Sequence, residues 1–265
     1  MAQMLKISIQ NIIIIIGIFS IFSECRQEKY IFRPDVLPKD YKFTFDEKFQ
    51  EYFIKVDKKT SLSGLLFKAD SSKGLIFYLH GNAGALDSWG QISDVYTKNN
   101  YDFFILDYRG YGKSEGRISS EKQLYRDLQI VYDSMKTIYN EKNIIIIGYS
   151  IGTGLAAELA SVNNPKMLIL KTPYYNFPVL VHQFIKIAPS FIMKYKFRTN
   201  EFVQMSKCPI VMFHGTDDQT IYIESSYRLK KLLKPSDKLI ILDGQKHNGI
   251  NSNEVYKAEL KKLLE

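Results

Sequence analysis

Two cysteines, Cys25 and Cys208, are all that the 265 residues contain, too few for a disulfide framework. Histidine is equally sparse, with His80, His182, His214 and His247 standing far apart. No His or Cys spacing suits a zinc site, so no metal is expected. Internal repeats are missing, and the one low-complexity stretch is an isoleucine run near the amino terminus. The hydrophobic fraction is 45% and the charged fraction 24%, which excludes a wholly disordered or fibrous chain. Nucleotide motifs fail on spacing. Gly110 to Ser114 ends like a phosphate-binding loop, but Asp107 stands where that motif needs its first glycine. A dinucleotide fingerprint needs its third glycine at position 115 and finds it at Gly116. No cofactor is expected.

Lys and Arg number 36 against 28 Asp and Glu, a net charge of +8. The cations are scattered or lie on amphipathic helices, as with Arg228, Lys230, Lys231, Lys257, Lys261 and Lys262. That distribution reads as solvated faces, with attraction to anionic lipid as the alternative, and no nucleic-acid partner is expected. Ile12 to Phe22 is an almost unbroken apolar run. It is short of the ~20 residues of a spanning helix and matches the hydrophobic region of a signal peptide. Cys25 follows closely, which resembles a bacterial lipoprotein signal whose cleavage leaves a lipidated Cys25. An uncleaved anchor and a buried element are the alternatives. Residues 1–24 are therefore set aside as signal peptide or anchor, and a membrane-associated location in the cell envelope is expected. Residues 25–42, with Pro34 and Pro38, read as an extended tether to a domain at 43–265.

Within that domain, strands and helices alternate. Phe43 to Phe67 has the alternation of an antiparallel pair at a sheet edge. Continuous apolar runs at Gly74–Leu79, Phe103–Leu106, Ile144–Ile147 and Met167–Leu170 suit strands buried on both faces, with two more at Ile210–Phe213 and Leu239–Leu242. Leu124, Leu128, Val131, Met135 and Ile138 mark one helix face, preceded by Ser120 and Gln123 in capping-box spacing. Leu229, Leu232 and Leu233 mark another helix. Tyr256, Leu260, Leu263 and Leu264 mark the last. The implied class is α/β, with a mostly parallel central sheet flanked by helices. Residues 172–207, aromatic-rich and broken by Pro173, Pro178 and Pro189, read as a lid insertion, with a plain core segment as the alternative.

The chemistry lies at strand ends. Ile144–Ile147 runs into Gly148-Tyr149-Ser150-Ile151-Gly152 and then a small-residue helix, the strand–turn–helix context of a nucleophile elbow. Ser150 is the candidate nucleophile and needs a base within hydrogen-bond reach. His247 follows the last strand, whereas His80 and His214 end apolar runs and read as satisfying backbone groups. A third group must orient the imidazole. The turn His214-Gly215-Thr216-Asp217-Asp218 offers two adjacent acids; Asp218 is preferred, with Asp217 as a turn-forming or solvated carboxylate.

The chain thus resembles the α/β-hydrolases, and within them the membrane-anchored BEM46-like serine hydrolases. The resemblance rests on His80–Gly84, Asp107–Gly116, the elbow, His214–Asp218 and Gly244–Asn248, and spans about Phe43 to Leu264. It implies Asp218 as the triad acid and the His80–Gly84 loop as the source of one oxyanion donor. Ile151 N–H, placed by the elbow, is the other. Asn82 is the candidate in the loop, with Ala83 behind it, and Gly81 and Gly84 permit close approach. The expected function is a membrane-tethered serine hydrolase of esters or thioesters, with a lipid-like or acyl substrate. A serine peptidase or amidase, or a surface binding module without turnover, are the alternatives.

Overall fold

The structure is a computed structural model that describes residues 27–265. The expected signal or anchor at 1–24 and the lipidation site Cys25 lie outside the described residues. Among the described residues, the ten strands are β1 (Arg33–Pro34), β2 (Phe49–Lys55), β3 (Ser61–Phe67), β4 (Leu75–Leu79), β5 (Ala83–Gly84), β6 (Asp102–Leu106), β7 (Ile144–Tyr149), β8 (Met167–Lys171), β9 (Ile210–Gly215) and β10 (Lys238–Leu242). Eight of them form one sheet in the order β10-β9-β8-β7-β4-β6-β3-β2. All neighbours are parallel except β2 with β3 and β3 with β6.

The continuous apolar runs follow from burial on both faces. In β7, Ile144 and Ile146 join one core while Ile145 and Ile147 join the other, because successive side chains point to opposite sides of a strand. The first core is closed by the Glu121–Lys136 helix through Leu124, Leu128, Val131 and Met135, and by the Gly152–Val162 helix. The second is closed by the Glu254–Leu264 helix through Tyr256, Leu260 and Leu264. Ser120 caps its helix by accepting from Gln123 N–H, and the Gln123 side chain reaches back to Ser119 N–H rather than to Ser120. Phe43 and Phe45 stand ahead of β2 and form an aromatic cluster with Phe49 and Phe67 instead of extending the strand.

Two stretches differ from the sequence reading. The expected tether is docked from Gln27 onward. Residues Gln27–Ile31 form a helical turn, Ile31 and Phe32 enter the core, and β1 pairs with β5. The interval 172–207 is divided: Tyr174, Tyr195 and Phe197 are fully buried, whereas the Phe177–Phe184 helix and the following turn lie outward. Asn176 starts that helix by accepting from Val179 N–H, and Pro178 occupies its first turn, where a missing N–H costs nothing.

Candidate active site

β7 stands mid-sheet, and the chain turns sharply at its carboxyl end. Ser150 has φ +54°, a left-handed conformation costing an L-residue about 1–2 kcal/mol. Its backbone is held on both sides. Ser150 N–H donates to Lys171 C=O at 3.0 Å, and its own carbonyl accepts from Thr153 N–H at 2.9 Å. The flanking glycines are required by space. A Cβ on Gly148 would lie 2.5 Å from the Gly152 carbonyl oxygen, and one on Gly152 would lie 2.2 Å from that of Leu79. The Gly152–Val162 helix therefore begins directly behind Ser150, with its N-terminal partial positive charge at the turn.

Asp218 and His247 reach this turn from the loops after β9 and β10. His247 Nε2 is 3.0 Å from Ser150 Oγ, and His247 Nδ1 is 2.8 Å from Asp218 Oδ2. A carboxylate only accepts, so Nδ1 carries the proton and Nε2 is free to accept from the serine hydroxyl. The other Asp218 oxygen accepts from Thr220 and Ile221 N–H, both at 2.8 Å. Burial pushes the Asp218 carboxyl up, but the hydrogen bonds from His214 and His247 outweigh it and hold the group well below the usual carboxylate range. Asp217 is exposed, and its side chain meets Thr216.

The remaining histidines serve structure. His80 is buried, with Nδ1 on the Gly81 carbonyl and Nε2 3.6 Å from Asp107, and burial pushes its imidazole down to about 4. His214 meets Ser226 and the Ile221 carbonyl, and its Nε2 lies 3.4 Å from Asp218 Oδ2, so it also backs the Asp218 carboxylate. His182 meets the Ala188 carbonyl.

Asn82 uses its side chain elsewhere. Its amide donates to the Ile31 carbonyl at 3.2 Å, and its own carbonyl accepts from Arg33 N–H and Tyr111 OH, each at 2.8 Å. Its backbone N–H is left to contribute toward a ligand. Among the described residues, neither Asn82 N–H nor Ile151 N–H has a protein acceptor. Both residues line a cleft of about 530 Å³ with Ser150 and His247. Phe177, Leu180 and Phe184 from the insert and Tyr30 from the docked amino-terminal stretch form its apolar walls.

Two supporting residues escaped the sequence reading. Tyr149 OH donates toward the His247 carbonyl at 2.8 Å and Asn248 Oδ1 at 3.1 Å, fixing the histidine loop to β7. Only its place inside the elbow could have signalled this. Lys171 ends β8 fully buried, with Nζ near Tyr78 OH and Asn251 Oδ1 and over the rings of Tyr78, Tyr149 and Tyr256. Burial pushes its amine down to about 7. The signal was a lysine closing an otherwise apolar strand.

Solved structures share this architecture. An esterase from Pyrococcus furiosus superposes with a TM-score of 0.69 at 18% identity, covering 88% of this chain and 95% of that one. An alpha-beta hydrolase from Vibrio vulnificus gives 0.67 at 20% identity, covering 82% and 80%. This chain has the α/β-hydrolase fold. The pattern of the serine aminopeptidase S33 family matches residues 70–201. Mouse alpha/beta hydrolase domain-containing protein 17C is 28% identical over 227 residues, covering 81% of this chain and 67% of the relative. Zebrafish lysophosphatidylserine lipase ABHD12 is 30% identical over 194 residues, covering 64% and 50%. The chain thus spans about two thirds of the first relative and half of the second. Among its described residues, no helix is long and apolar enough to cross a membrane.

Proposed function

We propose that this protein is a membrane-tethered serine hydrolase of the BEM46-like kind that cleaves an ester or thioester of a lipid-like or acyl substrate. The observation that carries the reading is the continuous chain from Ser150 Oγ through His247 to Asp218, at 3.0 and 2.8 Å. Ser150 Oγ attacks the substrate carbonyl carbon while His247 Nε2 takes its proton. Asp218 holds the imidazolium that results. The carbonyl oxygen gains the negative charge, and Ile151 N–H and Asn82 N–H receive it. Collapse breaks the bond to the leaving group, which takes the proton from His247 and leaves an acyl-serine. Water, deprotonated by His247, then attacks the acyl carbon and restores Ser150. Apolar walls at Phe177, Leu180 and Phe184 suit an acyl chain, and the lipase and esterase names of the relatives support the same choice. Tethering rests on the Ile12–Phe22 run and Cys25 in the sequence.

A fluorophosphonate probe and a panel of acyl esters, thioesters and peptide amides test this. The parent chain is expected to form an adduct on Ser150 and to turn over esters. Ser150→Ala is expected to lose both, with a rate drop of about 10⁴ or more. Failure of the folded parent to label would sink the hydrolase reading in favour of a binding module. Preference for peptide amides, in line with the family description that matches residues 70–201, would replace the esterase reading with the peptidase one.

A further inference from the structure

The turn after the Phe177–Phe184 helix carries apolar side chains that bury almost nothing. Phe184 is 60% exposed, Ile187 71% and Phe191 86%. A group of large apolar side chains held in water at one place marks an interaction surface. Within the segment itself the charge has a single sign, although Glu28 pairs with Lys194 and Glu201 stands 3.7 Å from Arg198. Residues 172–200 contain no Asp or Glu, and they contain Lys186, Lys194, Lys196 and Arg198. Lys186 and Arg198 are exposed. Aromatic and aliphatic tips rimmed by cations match the interface of an anionic bilayer, where apolar burial and attraction to lipid phosphates add together.

The route of the chain supplies the second argument. Gln27, the first described residue, donates its side-chain N–H to the Ile192 carbonyl at 2.9 Å and accepts from Lys194 N–H at 2.8 Å. Glu28 continues the contact through Lys194 and the Tyr195 hydroxyl. The apolar stretch ends at Phe22, five residues before Gln27, and five residues reach at most about 18 Å. The run therefore joins the described chain within about 18 Å of the contact that Gln27 makes with Ile192 and Lys194. The cleft opens there as well, since Phe184 and Tyr30 both line it with Ser150 and both are largely exposed.

We propose that the Phe184–Phe191 turn is a lipid-docking surface that inserts into an anionic leaflet beside the amino-terminal run, so that the Ser150 cleft takes its acyl substrate directly from the membrane. The identity of the cleaved bond rests on the hydrolase reading above; the docking does not.

Phe191→Trp in the full chain, with vesicles of phosphatidylglycerol and bromine-labelled phosphatidylcholine, reads docking without turnover. Tryptophan emission is expected to fall by about half relative to the parent, whose only tryptophan is Trp89. Adding Lys186→Glu is expected to weaken the quenching on anionic vesicles. Ile187→Glu with Phe191→Glu is expected to slow an ester embedded in vesicles about tenfold, while a soluble p-nitrophenyl ester stays within about twofold. Equal quenching of parent and variant would overturn the proposal. So would a concentration-dependent dimer abolished by Ile187→Glu, which would assign the turn to a second copy of the chain. Repeating the quenching with Ser150→Ala in the Phe191→Trp background separates the two readings: a chain inactive on every ester whose Phe191→Trp variant is still quenched fails as a hydrolase and still docks.

Discussion

Asp218 holds two roles in one carboxylate. One oxygen accepts from Thr220 and Ile221 N–H and shapes its own loop, and the other faces His247. Asp218→Asn is expected to lower turnover by about 10⁴, as an amide disturbs the imidazole tautomer. Asp217→Asn, at an exposed side chain, is expected to stay within about threefold. Thermal unfolding against pH checks the same carboxylate. Its folded pKa lies below the unfolded value of about 3.8, so its stabilisation is present above that pH and is lost as pH falls below it. Asp218→Asn should flatten that acid limb. Lys171 has the opposite consequence. Its amine is pushed down from 10.5 to about 7, so between those values the unfolded chain holds one more proton than the folded one, and stability rises with pH by up to about 1.4 kcal/mol per unit. Urea unfolding of Lys171→Met from pH 7.5 to 9.5 is expected to lose that slope and to exceed the parent in stability at pH 7.5, because an apolar chain replaces a buried amine.

At the scale of elements, the elbow and the histidine loop act as a pair joined by Tyr149. Tyr149→Phe keeps the ring packed against Trp89 and His247 but removes the bonds to the His247 carbonyl and Asn248. We expect kcat/KM to fall about tenfold, with a change in stability of about 1 kcal/mol, read by ester kinetics beside urea unfolding. The strands of the sheet were legible because burial on both faces leaves runs with no polar interruption, and β7 is the clearest case. The tight turn at Ser150 was legible because two glycines at fixed spacing answer to a backbone collision. Tyr149 was not, since a tyrosine inside an elbow looks the same whether its hydroxyl holds a loop or faces solvent. The Asn82 side chain was equally opaque: its partner, the Ile31 carbonyl, lies 51 positions away, in a stretch without periodicity.

Across the whole molecule, Arg109 ties three regions together. Its guanidinium bonds Asp127 on the Glu121–Lys136 helix, Asp57 at 2.7 Å and Thr60 at 3.0 Å in the β2–β3 turn. Arg109→Met leaves Asp127 buried without its main partner, with Arg126 at 3.3 Å as partial relief. A loss of about 3 kcal/mol is expected, and Arg109→Met with Asp127→Leu is expected to recover most of it; denaturant midpoints decide. The clamp was invisible in the sequence because its parts are 18 to 52 positions apart. The docking of the stretch from Gln27 was hidden for a related reason. Two prolines argue for an extended path, and they do not say that the path is paired.

That pairing has a mechanical side. Arg33 N–H is bonded to the Asn82 carbonyl, Asp35 N–H to that of Gly84, and the Asn82 amide to Ile31. A recombinant version trimmed to residue 43 would strip the Asn82 peptide of the Arg33 and Ile31 partners that hold it at the edge of the cleft.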